Sequence, residues 1–197
     1  ERETKVLELM KSEIWDCYDR DFNLVEGKVL ARGQEDAFSE DEYHLVSEIA
    51  VKHRDGTYLL MQRDFNKKGR PGMWEFTAGG AALMGESPLE CAKRELFEET
   101  GLVADTIYEV GRMAAARTHC HFVEFVAVVS CDKASVILQE GETIAYRWVE
   151  KSELLQRNPD LATHRIFEIL PDIDLGFDVT KDTGTAQDSV ADFDIDV

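Results

Sequence analysis

The sequence lacks both a long apolar run and an excess of positive charge. No stretch of its 197 residues has the roughly 20 consecutive apolar residues of a membrane-spanning helix. The first residues, ERETKVLELMKSE, have neither the basic flank nor the apolar centre of a secretory signal. The formal net charge of −18 is the opposite of the basic surface that binds a nucleic-acid backbone. These absences predict a cytoplasmic protein that binds neither membranes nor nucleic acid polymers.

Cysteine is scarce as well. The four cysteines have no C-x-x-C spacing and are too few for a dense disulfide framework. We interpret them as reduced thiols that serve as small core residues: Cys17, Cys91, Cys120 and Cys131. His119 and His121 flank Cys120, but this spacing without a partner elsewhere does not indicate zinc. We expect ordinary strand histidines that could face a cleft.

Apolar residues are present in sufficient number for a core. The chain is 44% hydrophobic and 31% charged, which is typical of one globular domain with a small extension. Residues 44–51 predict a strand, the Asp-Gly pair after them a hairpin turn, and residues 57–63 its partner strand. Residues 73–78, MWEFTA, predict a third strand, and three further strands follow a helix. Mixed strands with few helices predict an α+β domain with α/β/α layers.

The two ends of the chain differ from this central part. The predicted parts are an N-terminal segment packed on the core (1–43), a central domain (44–170) and an acidic, flexible tail (171–197). We expect a short helix at 3–12 and then short strands. The polar, acidic stretch 33–42 predicts a mobile loop. Closing helices are predicted at 151–157 and 162–170.

The best-defined helix lies within residues 85–102, GESPLECAKRELFEETGL. Ser87 can cap its start, Pro88 suits the first helical position, and Glu90 completes a capping box. Gly101 is placed to end the helix in a left-handed conformation. The sequence therefore predicts both ends of this helix.

Three carboxylates share one face of the predicted helix. Glu95, Glu98 and Glu99 stand at positions i, i+3 and i+4, where like charges repel. Acidic residues on a helix are most often simply solvated. These lie near the C-terminal end, where the helix dipole disfavours negative charge, and Gly79-Gly80 lets the backbone approach a bound group. The pattern favours a site for Mg²⁺ or Mn²⁺, without which we expect the carboxylates not to coexist.

Together with the residues before it, this helix resembles a complete Nudix box. Gly80, five residues, Glu86, seven residues and then RELFEETGL from Arg94 to Leu102 match all seven fixed letters and both aliphatic positions across 23 residues. The resemblance implies the Nudix fold, a mixed β-sheet between helices. It also implies hydrolysis of a diphosphate, linked to another moiety, through attack by a metal-activated water.

The resemblance implies a role for each residue of the box. The implied ligands of Mg²⁺ or Mn²⁺ are the side chains of Glu95, Glu98 and Glu99 and the carbonyl of Gly79. The implied structural positions are Gly80, Glu86, Arg94 and Gly101, among which Glu86 and Arg94 would pair and hold the loop to the helix.

One carboxylate must act as general base. Glu98 and Glu99 are candidates within the helix. The acidic loop before the last predicted strand adds Glu140 and Glu142, of which we choose Glu142 and expect at least one to be ordinary surface charge. Glu124 is a weaker candidate.

The stretch YHLVSEIAVKHRDGTYLLMQRDFNKKGRPGMWEFTAGG resembles a narrower branch, the Nudix proteins closest to type I isopentenyl-diphosphate isomerase. The shared elements are His44-Leu45, Gln62-Arg63, Lys67, Pro71-Gly72 and Trp74. The resemblance implies that Arg63 and Lys67 bind the substrate diphosphate, a role that suits both cations. The alternative is a solvated basic loop.

The isomerase chemistry itself does not fit. Gly79 stands where that enzyme has its catalytic cysteine, and Ala81 replaces a metal-binding histidine, so neither position offers an acid, a base or a side-chain ligand. We therefore favour a hydrolase and keep the isomerase as an alternative.

Substrate and assembly are left open. A non-catalytic Nudix ligand sensor is an alternative of a different class. Candidate substrates are nucleotide sugars, ADP-ribose, dinucleotides, nucleoside triphosphates and prenyl diphosphates. Phe65, Trp74 and Phe76 either stack on a base or, as we favour, belong to the core. The N-terminal segment completes either the pocket or the interface of a possible homodimer.

Overall fold

The computed structural model describes residues 13–154. Within this range the helices and strands are, in chain order, β1 (Ile14–Tyr18), β2 (Leu24–Ala31), β3 (His44–His53), β4 (Tyr58–Arg63), β5 (Trp74–Glu75), β6 (Thr77–Ala81), α1 (Pro88–Thr100), β7 (Thr106–Ala115), β8 (Cys120–Val129), β9 (Thr143–Val149) and α2 (Lys151–Leu154). None of the helices in this range is long and apolar enough to cross a membrane. The helices predicted at 3–12 and 162–170 and the predicted tail at 171–197 lie outside the described residues.

β3 is the central strand of the main sheet. It runs parallel to β8 along its whole length, from His44 beside Cys120 to His53 beside Val129. It also pairs antiparallel with β6 and, near the hairpin turn, with β4. β7 extends the sheet beyond β8, while β5 and β9 pair with β4. One parallel pair among antiparallel pairs makes this the mixed sheet that the sequence predicted.

Two clusters of buried residues cover the two faces of the sheet. On one face, Ala92 and Leu96 of α1 pack with Ile49 of β3. On the other face, Leu154 of α2 packs with Leu60 of β4. Neighbouring residues of β3 and β4 alternate between the two clusters, as the pleat of a strand requires. Helices therefore lie on both faces, which confirms the layered arrangement.

The strand predicted at 73–78 is in fact two strands. β5 pairs with β4, whereas β6 pairs with β3. Between them Phe76 is only 1% exposed and packs in the cluster that contains Leu154. The chain changes its partner strand at this buried residue. As a result Glu75 of β5 and Gly79 of β6 line the same cavity.

The N-terminal strands form a separate antiparallel hairpin, β1 with β2. The hairpin joins the main sheet through Tyr18 and Tyr43, whose backbones exchange hydrogen bonds of 2.8 and 3.0 Å. Trp15, Cys17 and Leu30 form a small apolar cluster under it. The described part of the N-terminal segment therefore joins the main sheet, while the predicted division of the chain into three parts stays a prediction.

Segment 33–42 has local structure where the sequence predicted a mobile loop. It contains a 3-10 helix at Glu35–Ala37. At its end, Glu42 forms an ion pair with Lys28 and accepts the N–H of Ser39 at 2.8 Å. The acidic composition of the segment predicted a mobile loop, but Lys28 and the backbone of Ser39 hold Glu42 in place.

Histidine and aromatic rings fill the joint between the hairpin and the sheet. Trp15 stacks on His44, with ring centroids 4.1 Å apart. His121 lies between Phe22 and Tyr43, at centroid distances of 3.7 and 4.5 Å. His121 therefore faces the hairpin and not a cleft.

Acid is expected to destabilise the protein through His44. His44 is 6% exposed, and burial lowers the pKa of its imidazole from 6.5 to about 4. Because the folded state holds a neutral ring, the unfolded chain takes up the proton first as the pH falls below 6.5, and stability is lost until the pH reaches about 4. Lowering the pH from about 7 to about 5 should reduce the free energy of unfolding by about 2 kcal/mol through this group.

Urea unfolding at both pH values measures this loss. His44→Phe keeps a ring against Trp15 and removes the titration, so its loss should be smaller than that of the wild type by about 2 kcal/mol. An equal loss in the two proteins would contradict the role of His44.

Candidate active site

α1 begins and ends where the sequence predicts. The Ser87 hydroxyl oxygen accepts the N–H of Glu90 at 3.3 Å, and the Glu90 carboxylate accepts the N–H of Ser87 at 2.9 Å, so both bonds of the capping box form. Pro88 is the first helical residue. At the other end, Gly101 has a φ of 68° and donates its N–H to the carbonyl of Phe97 at 2.8 Å. These caps fix the first and last residues of the helix that carries the three glutamates.

Arg94 is the centre of a hydrogen-bond network at the start of the site. It donates to both carboxylate oxygens of Glu86, at 2.8 Å each, and to the carbonyl of Ala81 at 3.1 Å. Glu86 also accepts the N–H of Leu83 at 2.9 Å. Burial opposes ionisation, but these bonds hold the pKa of Glu86 below its usual value, and Glu86 raises the pKa of Arg94. The Glu86–Arg94 pair therefore ties the loop before α1 to the helix.

Arg94 also contacts two of the three carboxylates that the sequence assigned to a metal. One of its nitrogens donates to Glu95 at 2.6 Å and to Glu98 at 3.1 Å. Glu99 instead accepts the N–H of Gly79 at 3.2 Å. Within residues 13–154 no three His, Cys, Asp or Glu side chains gather closely enough to form a ready metal site. The crowding of carboxylates on the helix predicts that they need a cation in order to coexist, and the guanidinium of Arg94 lies between two of them.

Negative charge is nevertheless crowded around Glu99. Burial, together with the charges of Glu75 and Glu95, raises the pKa of Glu99 to about 8. Burial also raises the pKa of Glu75 and of Glu95, against the opposing effects of Arg63 and Arg94. The available donor atoms are oxygens, which Mg²⁺ and Mn²⁺ prefer. A divalent cation fits this set because it would offset the charge that disfavours ionisation of Glu99.

Gly79 and Gly80 leave no room for a side chain, for two different reasons. A Cβ at Gly79 would meet the backbone carbonyl oxygen of Ser47 on β3. A Cβ at Gly80 would meet the carboxylate of Glu95. The first neighbour is rigid backbone, whereas the second is the end of a flexible side chain. Gly80 is therefore the residue that lets Glu95 lie against β6.

Alanine at the two glycines is expected to give opposite results. Gly79→Ala should lower the free energy of unfolding by about 2 kcal/mol, because a strand must shift. Gly80→Ala should leave the free energy of unfolding within about 1 kcal/mol of the wild type, but it displaces the Glu95 carboxylate and should weaken Mg²⁺ binding about tenfold. Urea unfolding and calorimetric titration with Mg²⁺ measure the two effects. Equal losses of stability with unchanged Mg²⁺ affinity would contradict this distinction.

A cavity of about 310 Å³ opens beside these carboxylates. Its wall contains three carboxylates, two arginines and part of β6, namely Glu48, Glu75, Glu99, Arg63, Arg70 and Gly79. Its volume lies at the lower end of the range found for small-molecule sites. The residues of the box and the loop before β5 therefore meet at one concave surface.

The residues predicted to bind substrate are engaged with acidic partners. Arg63 donates to Glu75 at 2.6 Å and to the carbonyl of Gly69 at 3.1 Å. Lys67 forms an ion pair with Glu142, the residue chosen as a general base. Arg63 lines the cavity, whereas Lys67 and Glu142 are not part of its wall. Their roles stay predictions.

The other candidates from the sequence are not part of the cavity wall. Glu140 is exposed in the loop before β9, as expected for surface charge. Glu124 is fully buried in β8, beside Glu48 in the parallel register. The Nδ1 atom of His119 lies 2.9 Å from the carbonyl oxygen of Glu42, so this histidine does not face the cavity.

The three aromatic residues considered for base stacking differ in burial. Phe76 belongs to the core, as predicted. Trp74 is half-buried, and the guanidinium of Arg147 lies 5.0 Å from its ring centroid. Phe65 is 69% exposed and lies against Gly72, so its interpretation as a core residue is wrong. Within the described part of the chain, none of the three lines the cavity.

Three charged residues that line the cavity were missed by the sequence analysis. Glu48 interrupts the apolar pattern of β3, and Glu75 stands between Trp74 and Phe76. A charge inside an apolar strand is costly unless it has a partner or a function, and this signal could have found both glutamates. Arg70 lies in the loop between β4 and β5 and had no signal beyond its charge.

The fold and the site together define the class of this protein. A mixed sheet lies between helices, and the strand that contains Gly79 and Gly80 leads to the helix that carries the carboxylates. A family model of the NUDIX domain matches residues 43–173, more than half of the chain. The chain therefore belongs to the Nudix hydrolase family.

Relatives in bacteria agree with this assignment. An uncharacterized Nudix hydrolase of Listeria monocytogenes is 30% identical over 147 residues, which are 72% of this chain and 82% of that protein. The uncharacterized Nudix hydrolase YfcD of Escherichia coli is 31% identical over 115 residues, which are 58% of this chain and 63% of that protein. This second match spans less than two thirds of its relative.

Solved structures resemble the fold. DR0079 from Deinococcus radiodurans has a TM-score of 0.65 at 17% identity, with 81% of this chain and 98% of that chain covered. The NUDIX domain of Shewanella oneidensis NrtR, solved in complex with ADP ribose, has a TM-score of 0.53 at 22% identity and covers 72% of this chain and 89% of its own. These likenesses confirm the α+β Nudix fold. The isomerase-like branch, the domain boundaries, the homodimer and the cytoplasmic location stay predictions.

Proposed function

We propose that this protein hydrolyses a diphosphate bond in a small molecule, with Mg²⁺ or Mn²⁺ as its cofactor. The observation that carries the proposal is the crowding of Glu75, Glu95 and Glu99 beside a cavity that also contains arginines. Such crowding is unfavourable by itself and favours a bound cation. Guanidinium groups next to it suit phosphate oxygens. Membership of the family supports hydrolysis, and the complete box supports a diphosphate as the group that is cleaved.

The proposed metal ligands are the carboxylates of Glu95, Glu98 and Glu99 and the carbonyl of Gly79. One nitrogen of Arg94 already contacts both Glu95 and Glu98, so these two carboxylates converge on one positive charge. When bound, the cation supplies charge neutralisation and a more acidic water. The remaining tasks fall to the protein: holding the diphosphate, orienting it and accepting a proton.

Glu98 and Glu142 are the better candidates for the general base. Neither lines the cavity, but their side chains are 47% and 38% exposed, so each is accessible to water. Glu99 lines the cavity and accepts the N–H of Gly79, a position that suits a ligand better than a base. Because Glu142 is paired with Lys67, it would act only after that lysine has moved to another anion.

Arg63 and Lys67 are proposed to hold the substrate diphosphate. Each now neutralises a glutamate, Glu75 or Glu142, and each would have to share its charge with a phosphate. Such an exchange costs little for Lys67, whose pair with Glu142 is partly solvated. Arg63 and Glu75 are only 21% and 12% exposed, so Arg63 would have to keep its contact with Glu75 while it binds a phosphate. Substrate binding would then also free Glu142.

A substrate screen with Mg²⁺ and with Mn²⁺ tests the proposal. The panel contains ADP-ribose, the ligand of the Shewanella oneidensis domain, together with nucleotide sugars, dinucleotides, nucleoside triphosphates and a prenyl diphosphate. We expect release of phosphate or nucleotide from at least one of them, and its loss with EDTA. Binding of a diphosphate without turnover of any would overturn the proposal and favour a ligand sensor.

The isomerase is the second candidate. Gly79 and Ala81 offer no acid or base at the positions where that enzyme needs them. Incubation with isopentenyl diphosphate should therefore give no isomerised product. Isomerisation without release of phosphate would overturn the assignment as a hydrolase.

A further inference from the structure

Four basic side chains lie along residues 63–70, namely Arg63, Lys67, Lys68 and Arg70, and two of them, Arg63 and Arg70, line the cavity. Arg63 and Lys67 have acidic partners, since each is paired with a glutamate. Arg70 is exposed and makes no side-chain hydrogen bond or ion pair within residues 13–154. A ligand can therefore reach Arg70 without first displacing a carboxylate of the described part of the chain.

The backbone around Arg70 is held in an unusual conformation. Its φ of 50° is a left-handed value that residues with a side chain rarely adopt. Its carbonyl accepts the N–H of Met73 at 3.4 Å, and the side chain of Gln62 donates to the carbonyl of Gly72 at 3.0 Å. Gly72 lies so close to the ring of Phe65 that a Cβ there would collide with it. Anchored in this way, the turn holds Arg70 at the cavity, and retained strain of this kind is often found at functional sites.

The cavity wall is rich in carboxylates, and Arg70 is a cation on that wall. Glu48, Glu75 and Glu99 place carboxylates on the wall, and Arg63 is engaged with Glu75. A phosphate entering the cavity is repelled by this wall unless a cation receives it. Arg70 offers that cation from the loop between β4 and β5.

We infer that Arg70 binds a phosphoryl group of the substrate and thereby selects ligands whose anionic group reaches the loop side of the cavity. This inference rests on the proposed function. A guanidinium can donate two parallel hydrogen bonds to phosphate oxygens, which a lysine cannot do. Because the contact is made before and during the reaction, its loss should raise KM more than it lowers kcat.

Equilibrium binding of inorganic diphosphate in the presence of Mg²⁺ tests this inference. Arg70→Met should weaken binding about 10- to 100-fold, as expected for the loss of a charged hydrogen-bonding group. Lys68→Met is the matched control, because Lys68 is an exposed cation of the same loop that does not line the cavity. Its binding should stay within about twofold of the wild type. With a substrate from the screen, Arg70→Met should raise KM by a similar factor and change kcat by less than about threefold.

Arg70→Gly separates recognition from folding. Glycine adopts a positive φ freely, so the melting temperature should be unchanged or higher, while diphosphate binding weakens as in Arg70→Met. Equal binding by the wild type and Arg70→Met, or an equal loss in Lys68→Met, overturns the inference. Diphosphate binding that depends on Arg70 in a protein without turnover supports the inference and overturns the proposed hydrolysis, so the two failures are distinguishable.

Discussion

Replacement of Glu99 by glutamine is expected to lower turnover about 1000-fold while the fold stays intact. Glutamine keeps the shape of the side chain, and its amide oxygen can still accept the N–H of Gly79. It lacks the charge that would hold a divalent cation, which contributes several kcal/mol to the stability of the transition state. Without metal and at neutral pH, the variant should be at least as stable as the wild type, because its neutral amide replaces a carboxyl group whose ionisation is opposed by burial and by the charges of Glu75 and Glu95.

Steady-state kinetics and thermal unfolding with and without Mg²⁺ measure these effects. Mg²⁺ should raise the melting temperature of the wild type more than that of Glu99→Gln. Glu153→Gln is the control, since Glu153 is about half exposed and paired with Arg147 away from the cavity. If turnover of Glu99→Gln stays close to that of the wild type, the metal assignment on α1 is wrong.

Replacement of Arg94 by methionine should cost about 3 kcal/mol of the free energy of unfolding, because it strands a partly buried carboxylate. Arg94 is 24% exposed, and its partner Glu86 is 15% exposed. The variant also loses the hydrogen bond to the carbonyl of Ala81, and it leaves Glu95 and Glu98 to repel each other. Urea unfolding at neutral pH measures the loss.

A double-mutant cycle separates the pair from its surroundings. In Glu86→Gln with Arg94→Met no charge is stranded at residue 86, so the double variant should recover about 1–2 kcal/mol relative to Arg94→Met. Arg147→Met removes a pair whose two partners are both about half exposed, and it should cost less than about 1 kcal/mol. An equal cost for Arg94→Met and Arg147→Met would show that Arg94 does not tie the loop to α1.

The limits of α1 were predictable because they depend on residues close together in the chain. The capping box needs only Ser87 and Glu90, and the end of the helix needs only a glycine at position 101. Runs rich in apolar, β-branched and aromatic residues likewise predicted β3 and β8. The spacing of the box identified the family for the same reason, since all of its residues lie within 23 positions.

The strand change at Phe76 was not predictable from that kind of pattern. MWEFTA reads as one strand, and only the buried site of the Phe76 ring and the choice between β4 and β3 as partners divide it. The partners of charged residues were not predictable either. Lys67 and Glu142 are 75 positions apart, so no local spacing could reveal that a predicted substrate-binding residue and a predicted base hold each other.

The family, the carboxylate helix with both of its ends, and most of the strands of the sheet could be predicted from the chain alone, because each depends on residues that are neighbours in the sequence. The contacts of the charged groups became visible only in the folded molecule. Arg94 lies between Glu95 and Glu98, and Glu75 adds to the charge at Glu99. Arg63 and Lys67 have acidic partners, while Arg70 stays open to the cavity. A charge interacts most strongly with the groups within a few ångströms of it, and folding brings those groups together from distant parts of the chain.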